Sequence, residues 1–299
     1  MTATLLTGGT GFVGGHLRTA LQKPVILLGR KKPELLPNEE WRRLDMQEPA
    51  PPEKLAGGEV LCHLAYSMQA GKRNVAYNHH LLEAVNVNRS VRRVVLMSSI
   101  SVYGENRSPV VDEESACEPI GEYPETKLAC EMVWREGLRD DCELLVLRPA
   151  EIIGVGGEGM LALIQDALHR PIVGAIKRSV LHERSLHYVA VDKVVAATLF
   201  GLQHRQDLLH EIFIVSDDHR PANRSYAVMQ DLVRKLAGRR PLPGPRTPLS
   251  IARMLGRITG RPIAEKMIFD SRKLHAAGFE ASAPLEEEVR RLVYRCVNA

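Results

Sequence analysis

The 299-residue chain is predicted to be an α/β protein, a doubly wound parallel sheet joined to a smaller, mostly helical C-terminal part. Three observations predict this. Short apolar runs alternate with helix-like stretches through the first half. A glycine-rich turn directly follows the first run. The alternation then loosens after Gly154.

The strand candidates are Thr4–Leu6, Val25–Leu28, Val60–Leu64, Val94–Ser98 and Leu144–Arg148, with Trp41–Leu44 a weaker one. They are continuously apolar rather than alternating, the pattern of parallel strands covered on both faces. Asn74–Asn88 and Thr126–Arg139 read as helices between them. Right-handed crossovers bring the C-terminal end of every strand to one edge of the sheet, where ligands bind. Beyond Gly154, Met160–His169 reads as a helix followed by a basic stretch. Val189–Gln203 reads as a helix returning to the sheet, and Glu211–Ser216 as a last strand. The segment GRRPLPGPRTP, Gly238–Pro248, excludes a helix. Short helices on either side of it should form the small second part.

The turn lies in TLLTGGTGFVGGHL, where Gly8, Gly11 and Gly14 recur every three residues. Glycines between a first strand and a first helix make a tight turn, admit a pyrophosphate close to the backbone, and let helix pack on strand. The helix N-terminus then offers free N–H groups to the anion. The spacing is GxxGxxG rather than GxGxxG, so the loop differs in detail from the common dinucleotide fingerprint. A Rossmann-type dinucleotide-binding domain over 1–155 follows, with 185–216 returning to it; 156–184 and 217–299 make the substrate-binding domain. The second strand ends Gly29-Arg30-Lys31-Lys32 without a carboxylate. An acid there would bind the ribose hydroxyls of NAD, whereas Arg30 suits a 2′-phosphate, so NADP is preferred and NAD is possible. Asp45, after the third strand, is expected near the adenine, or serves as a simple cap.

Composition narrows the function. Hydrophobic residues are 44% and charged residues 25%, ordinary for a globular protein. No apolar run approaches the roughly 18 residues of a membrane span. The glycine turn follows Met1 too closely to leave room for a signal peptide, and five scattered cysteines without a CxxC pair suit reduced thiols, so a cytoplasmic setting is expected. Formal net charge is +4, but His219–Lys273 holds thirteen Lys/Arg against three Asp/Glu. That segment is either a solvated basic face or an attractor for a polyanion such as a nucleotide diphosphate. Aromatics at 5% and the lack of any known binding module argue against nucleic acid. The histidines are scattered, and His79-His80 on one helix cannot point the same way, so no metal is expected.

The stretch EYPETKLACEMVWREGL, Glu122–Leu138, is an amphipathic helix with Pro124 in its first turn, tolerable because first-turn N–H groups have no helical acceptor. Tyr123 and Lys127 stand at i and i+4 and share a face. A phenol ordinarily titrates near pH 10, too high to exchange protons at neutrality. An ammonium about 5 Å away, at an effective dielectric of about 20, would favour the phenolate by roughly 3 kcal/mol. Tyr123 is therefore expected to be unusually acidic.

Taken in order, TGGTGFVG, HLAYS (His63–Ser67), VLMSSISVYG (Val95–Gly104), YPETK (Tyr123–Lys127) and LRPAEIIG (Leu147–Gly154) resemble the extended short-chain dehydrogenase/reductase family, in its nucleotide-sugar epimerase, dehydratase and ketoreductase group. The resemblance covers most of residues 1–155 and continues weakly through Arg184–Ala197 and Asp270–Phe279. It implies Tyr123 as acid/base, Lys127 as its electrostatic partner, and Ser99 as the hydroxyl that orients the substrate oxygen, with Ser98 and Ser101 as alternatives. It implies cofactor contacts from Gly8, Thr10, Gly11, Phe12, Val13, Gly14, Arg30, Asp45, Met46, Leu64, Ala65, Tyr123, Lys127 and Pro149. Substrate contacts would come from Ser99, Tyr123, Glu151 and Arg184. Two departures stand out: Glu151 replaces the family's frequent Asn, and Tyr77-Asn78 replace its usual Gly-Thr, while Asn74 fits its structural Asn. His63 is expected to be packed and Arg148 to tie down a strand end. Lys177, Arg178 and His182 are expected to be solvated. The implied reaction is hydride transfer at a carbinol or keto carbon of a nucleotide-sugar, by an epimerase or 4-ketoreductase. A 4,6-dehydratase fits less well, because Ile100-Ser101 replace that branch's Asp-Glu. The alternatives are an NADPH-dependent reductase of a non-sugar ketone or aldehyde, and a non-catalytic dinucleotide sensor. The resemblance also implies a homodimer.

Overall fold

The computed structural model of the chain describes residues 3–104, 106, 108–203, 210–244, 247, 267–280 and 284–298. Seven parallel strands form its main sheet: β1 (Ala3–Thr7), β2 (Val25–Gly29), β3 (Glu39–Arg43), β4 (Gly58–His63), β5 (Arg93–Met97), β7 (Glu143–Pro149) and β10 (Glu211–Val215). They lie in the order β10-β7-β5-β4-β1-β2-β3. Strand order therefore reverses between β1 and β4, the crevice where ligands of doubly wound sheets bind.

Successive side chains of a strand point to opposite faces, and here both faces are covered. Leu5 and Leu61 enter one core with Leu81, Val85 and Trp134, from α2 (Arg73–Val87) and α3 (Glu122–Gly137). Leu6 and Cys62 enter another with Leu17 and Val195, from α1 (Phe12–Ala20) and α6 (Val191–Leu202). This two-sided burial is why the runs read as wholly apolar. Strand β3, with the sequence EEWRR, is the edge, and none of its residues is buried.

The C-terminal part packs α4 (Leu161–Leu168), α7 (Tyr226–Leu236) and α9 (Leu285–Asn298) around Ile153, Ile164, Met229 and Val289. Three features depart from the sequence reading. The basic stretch after α4 is a helix, α5 (Pro171–Leu181), whose proline occupies the tolerant first turn. The start of the Val189–Gln203 segment is instead part of a strand, β9 (Tyr188–Ala190), pairing with β8 (Glu151–Ile153). Glu211–Val215 is the edge of the main sheet but not the last strand: β11 (Ile268–Phe269) pairs with β6 (Val110–Val111). Strands of two or three residues carry too little periodicity to be read from sequence. A short helix, α8 (Arg272–Ala276), completes the described elements. Much of the basic run, 245–246 and 248–266, lies outside the described residues.

Candidate active site

The glycine turn closes against the end of β4. Gly8 adopts φ +73°, and a Cβ on it would sit 2.7 Å from the Ala65 amide nitrogen. A Cβ on Gly14 would sit 2.2 Å from the Gly8 carbonyl oxygen. Both positions therefore demand glycine, and the backbone they shape opens into a groove of about 640 Å³ at the β1/β4 crevice. Gly8, Thr10, Gly11, Arg30, Asp45, Met46, Leu64 and Ala65 line it. A cradle that any side chain would fill, ending in a helix N-terminus, fits a dinucleotide. Phe12, Val13 and Gly14 lie on the first turn of α1 and do not line the groove. Val13 packs into the core and Phe12 against Gly157 and His16. Pro149 is buried at the end of β7.

A buried polar chain fixes the turn. Trp134 Nε1, which can only donate, bonds Asn78 Oδ1 at 2.7 Å. His63 Nε2 meets the same oxygen at 3.0 Å, so it must carry a proton. Nδ1 is then the acceptor for the Thr7 hydroxyl at 2.6 Å, whose oxygen takes the Ala65 N–H at 3.3 Å. Burial pushes the His63 pKa down to about 4, keeping it neutral in this relay. The packed histidine read from sequence thus aligns the ends of β1 and β4. Asn74 bonds the Ser67 amide and carbonyl, fixing the following loop.

Ser99, Tyr123 and Lys127 come together at the C-terminal edge. Of the three serines, Ser98 bonds Glu131 and Ser101 Oγ is buried without a partner. The Ser99 hydroxyl reaches the Tyr123 phenol and also accepts the Ser101 N–H at 3.1 Å. The expected acidity of Tyr123 needs correction. Burial raises its pKa, and only the Ser99 hydrogen bond opposes that rise. The Lys127 amine donates to the Met97 carbonyl at 3.1 Å and stands 4.3 Å from the centre of the Tyr66 ring. Desolvation brings its own pKa down to about 8, with Cys130 and Glu131 opposing.

The family model for "NAD dependent epimerase/dehydratase family" matches residues 4–216, most of the chain. The chain belongs to that family. A UDP-glucose 4-epimerase of Lactobacillus helveticus is 25% identical over 239 residues, 67% of this chain and 72% of that one. An uncharacterized protein of Sinorhizobium fredii is 30% identical over 94 residues, which cover 30% of this chain and only 24% of that one. Among solved structures, an epimerase described as putative from Burkholderia cenocepacia superposes with a TM-score of 0.74 at 23% identity, covering 100% of this chain and 99% of that one. The UDP-glucose 4-epimerase of Thermotoga maritima, solved with UDP-glucose, gives 0.71 at 21%, covering 100% of both. At such identities these structures share the fold. This epimerase/dehydratase family member shares that fold over its described residues.

Beneath the edge of this family member's sheet lies a fully buried ion pair. Arg148 donates to Glu131 through Nε at 3.1 Å and Nη2 at 2.6 Å, and to the Tyr103 hydroxyl at 2.9 Å. Arg148 therefore ties β7 to α3 as well as holding its own strand end. Glu151, at the start of β8, and Arg184, before β9, are exposed. Desolvation raises the Glu151 pKa and the nearby Arg184 charge opposes it. Arg178 is not solvated as expected but bound to Asp231 at 2.7 Å, and Lys177 pairs with buried Asp166. Tyr66 was not among the residues the motifs single out. The available signal was the aromatic itself, placed directly after Ala65 in the HLAYS turn. No cluster of His, Cys, Asp or Glu among the described residues could hold a metal. No described helix is long and apolar enough to cross a membrane.

Proposed function

We propose that this chain transfers hydride at a carbinol or keto carbon of a nucleotide-sugar, as a 4-epimerase or 4-ketoreductase. The observation that carries the reading is the Ser99 hydroxyl against the Tyr123 phenol, one helical turn from Lys127, with Tyr123 packed on Tyr66 of the glycine groove. The nicotinamide, when bound, supplies the hydride acceptor or donor. Ser99 orients the substrate oxygen. Tyr123 passes the proton between that oxygen and solvent. Lys127 supplies the charge beside them. A phenol whose pKa is raised is a proton donor at neutral pH, which suits reduction of a keto group. Glu151 and Arg184 face the remainder of the substrate, the arginine being suited to a phosphate.

The groove residues Gly8, Thr10, Gly11, Arg30, Asp45, Met46, Leu64 and Ala65 hold the dinucleotide, and Gly14 lets the turn close behind them. Arg30, Lys31 and Lys32 all line the groove at the end of β2, which supports NADP over NAD. The solved relatives MoeE5 and the Bacillus cereus UDP-glucuronic acid 4-epimerase carry NAD. Titration with both reduced dinucleotides, followed by fluorescence, decides the preference. Tighter binding of NADH would reverse it.

The activity test is a panel of UDP- and dTDP-sugars with either dinucleotide, read by mass spectrometry and absorbance. The wild type should turn over at least one sugar. Tyr123→Phe should lose about 10³-fold in kcat while binding dinucleotide normally. Full activity in that variant would end the reading. We also propose a homodimer through α2 and α3, on which Val87 and Met132 are exposed. A monomer in light scattering would contradict it.

A further inference from the structure

Tyr66 stands where two parts of the site meet. It follows Ala65 in the turn after β4 and lines the dinucleotide groove. Its ring meets the Tyr123 ring edge-on, with centroids 5.3 Å apart and planes at 86°. Its face receives the Lys127 amine at 4.3 Å. We propose that Tyr66 is a positioning residue of this site: its face carries the Lys127 ammonium and its edge sets the Tyr123 ring. This rests on the roles proposed above for Lys127 and Tyr123.

The surroundings of Lys127 show why a ring is needed. The side chain is buried, and an ammonium has three N–H groups to satisfy. The Met97 carbonyl, from β5, takes one. Of the titratable groups around it, Glu131 and Cys130 lie on its own helix. Glu131 is already bound by Arg148 and Ser98. His63, from β4, is neutral and offers nothing to a cation. Tyr66 is also neutral, since burial pushes its phenol up to about 12. Its contribution is therefore the negative ring face, not a phenolate. A cation over an aromatic face gains about 0.5–2 kcal/mol, more when desolvated. At 1.36 kcal/mol per pKa unit, that is about 0.4–1.5 units. The same ring packs against Tyr123, so whatever displaces it disturbs both groups.

The test compares Tyr66→Phe, which keeps the ring, with Tyr66→Leu, which removes it but leaves the site apolar. Lysine labelled with ¹³C at Cε reports the titration of Lys127 directly by NMR, its signal assigned with Lys127→Met. Tyr66→Phe should titrate with the wild type. Tyr66→Leu should titrate lower, by about 0.4–1.5 pH units. Where turnover is measurable, Tyr66→Leu should lower kcat more than it raises KM, and Tyr66→Phe should restore it. Should Tyr66→Leu fail to fold, Tyr66→Met removes the ring equally and carries the same expectation. An unchanged or higher Lys127 titration in the ring-less variants overturns the proposal, even if Tyr123→Phe is inactive. Full activity in Tyr123→Phe and Lys127→Met would instead sink the catalytic roles, with the NMR result still judging the contact.

Discussion

Around the glycine turn, Thr7, His63, Asn78 and Trp134 satisfy one another in one buried chain. Between β10 and α7 the situation differs. Four of the eight buried side-chain polar atoms without a hydrogen-bond partner, among the described residues, lie between Asp217 and Tyr226: Asp217 Oδ2, Asp218 Oδ1, Arg220 Nε and Tyr226 Oη. Glu151 and Arg184, near Tyr226, are exposed. A fully satisfied network holds one geometry, because moving any member strands its neighbours. A partly satisfied one leaves groups for something else to meet. The first holds the glycine turn in one geometry, and the second leaves the 217–226 segment with polar groups still to satisfy.

The sharpest way to break this contrast is Glu131→Ala, which strands Arg148 in the interior beneath the satisfied side. Removing one partner of a buried ion pair should cost about 3–5 kcal/mol, read from denaturant midpoints. A loss under about 1 kcal/mol would mean that the pair is not holding β7 to α3.

A pH series tests the relay next. The folded pKa of His63 is depressed to about 4 from 6.5, so between those values the unfolded chain binds more protons. The stability linked to His63 is therefore complete above about pH 6.5 and lost as pH falls toward about 4. The difference amounts to about 3 kcal/mol. His63→Asn should be less pH-sensitive than the wild type across that window. Parallel curves would show that the histidine is not held neutral.

Gly14→Ala should cost about 1–3 kcal/mol, because its Cβ meets the Gly8 carbonyl and other backbone atoms that cannot yield cheaply. Dinucleotide affinity should fall with it, and unchanged affinity would separate the turn from binding. The smallest effect has the opposite sign. Tyr226→Phe removes a buried hydroxyl that has no protein partner, and should be neutral or stabilise the fold by roughly 1 kcal/mol. Destabilisation there would mean the two sides are satisfied alike.

The sheet was legible because its strands are buried on both faces and stay apolar along their length, as Val94–Met97 do. The two- and three-residue strands β6, β8, β9 and β11 were not, since their pairing depends on partners far along the chain. In the site, the motifs pointed to Ser99, Tyr123 and Lys127, with Ser98 and Ser101 left as alternatives to Ser99. Phe12 and Val13 were expected at the groove and instead pack into the protein, because the first turn of α1 offers the groove its backbone and not these side chains.

Covalent order by itself determined the strand–helix alternation, the glycine turn at the first crossover and the i, i+4 placement of Tyr123 and Lys127, since each depends on local periodicity or on missing side chains. The tertiary structure alone decided which serine meets the phenol, that burial raises the Tyr123 pKa, and that the lysine amine rests on Tyr66. Desolvation and ring contacts are set by residues distant in the chain, and no local pattern encodes them.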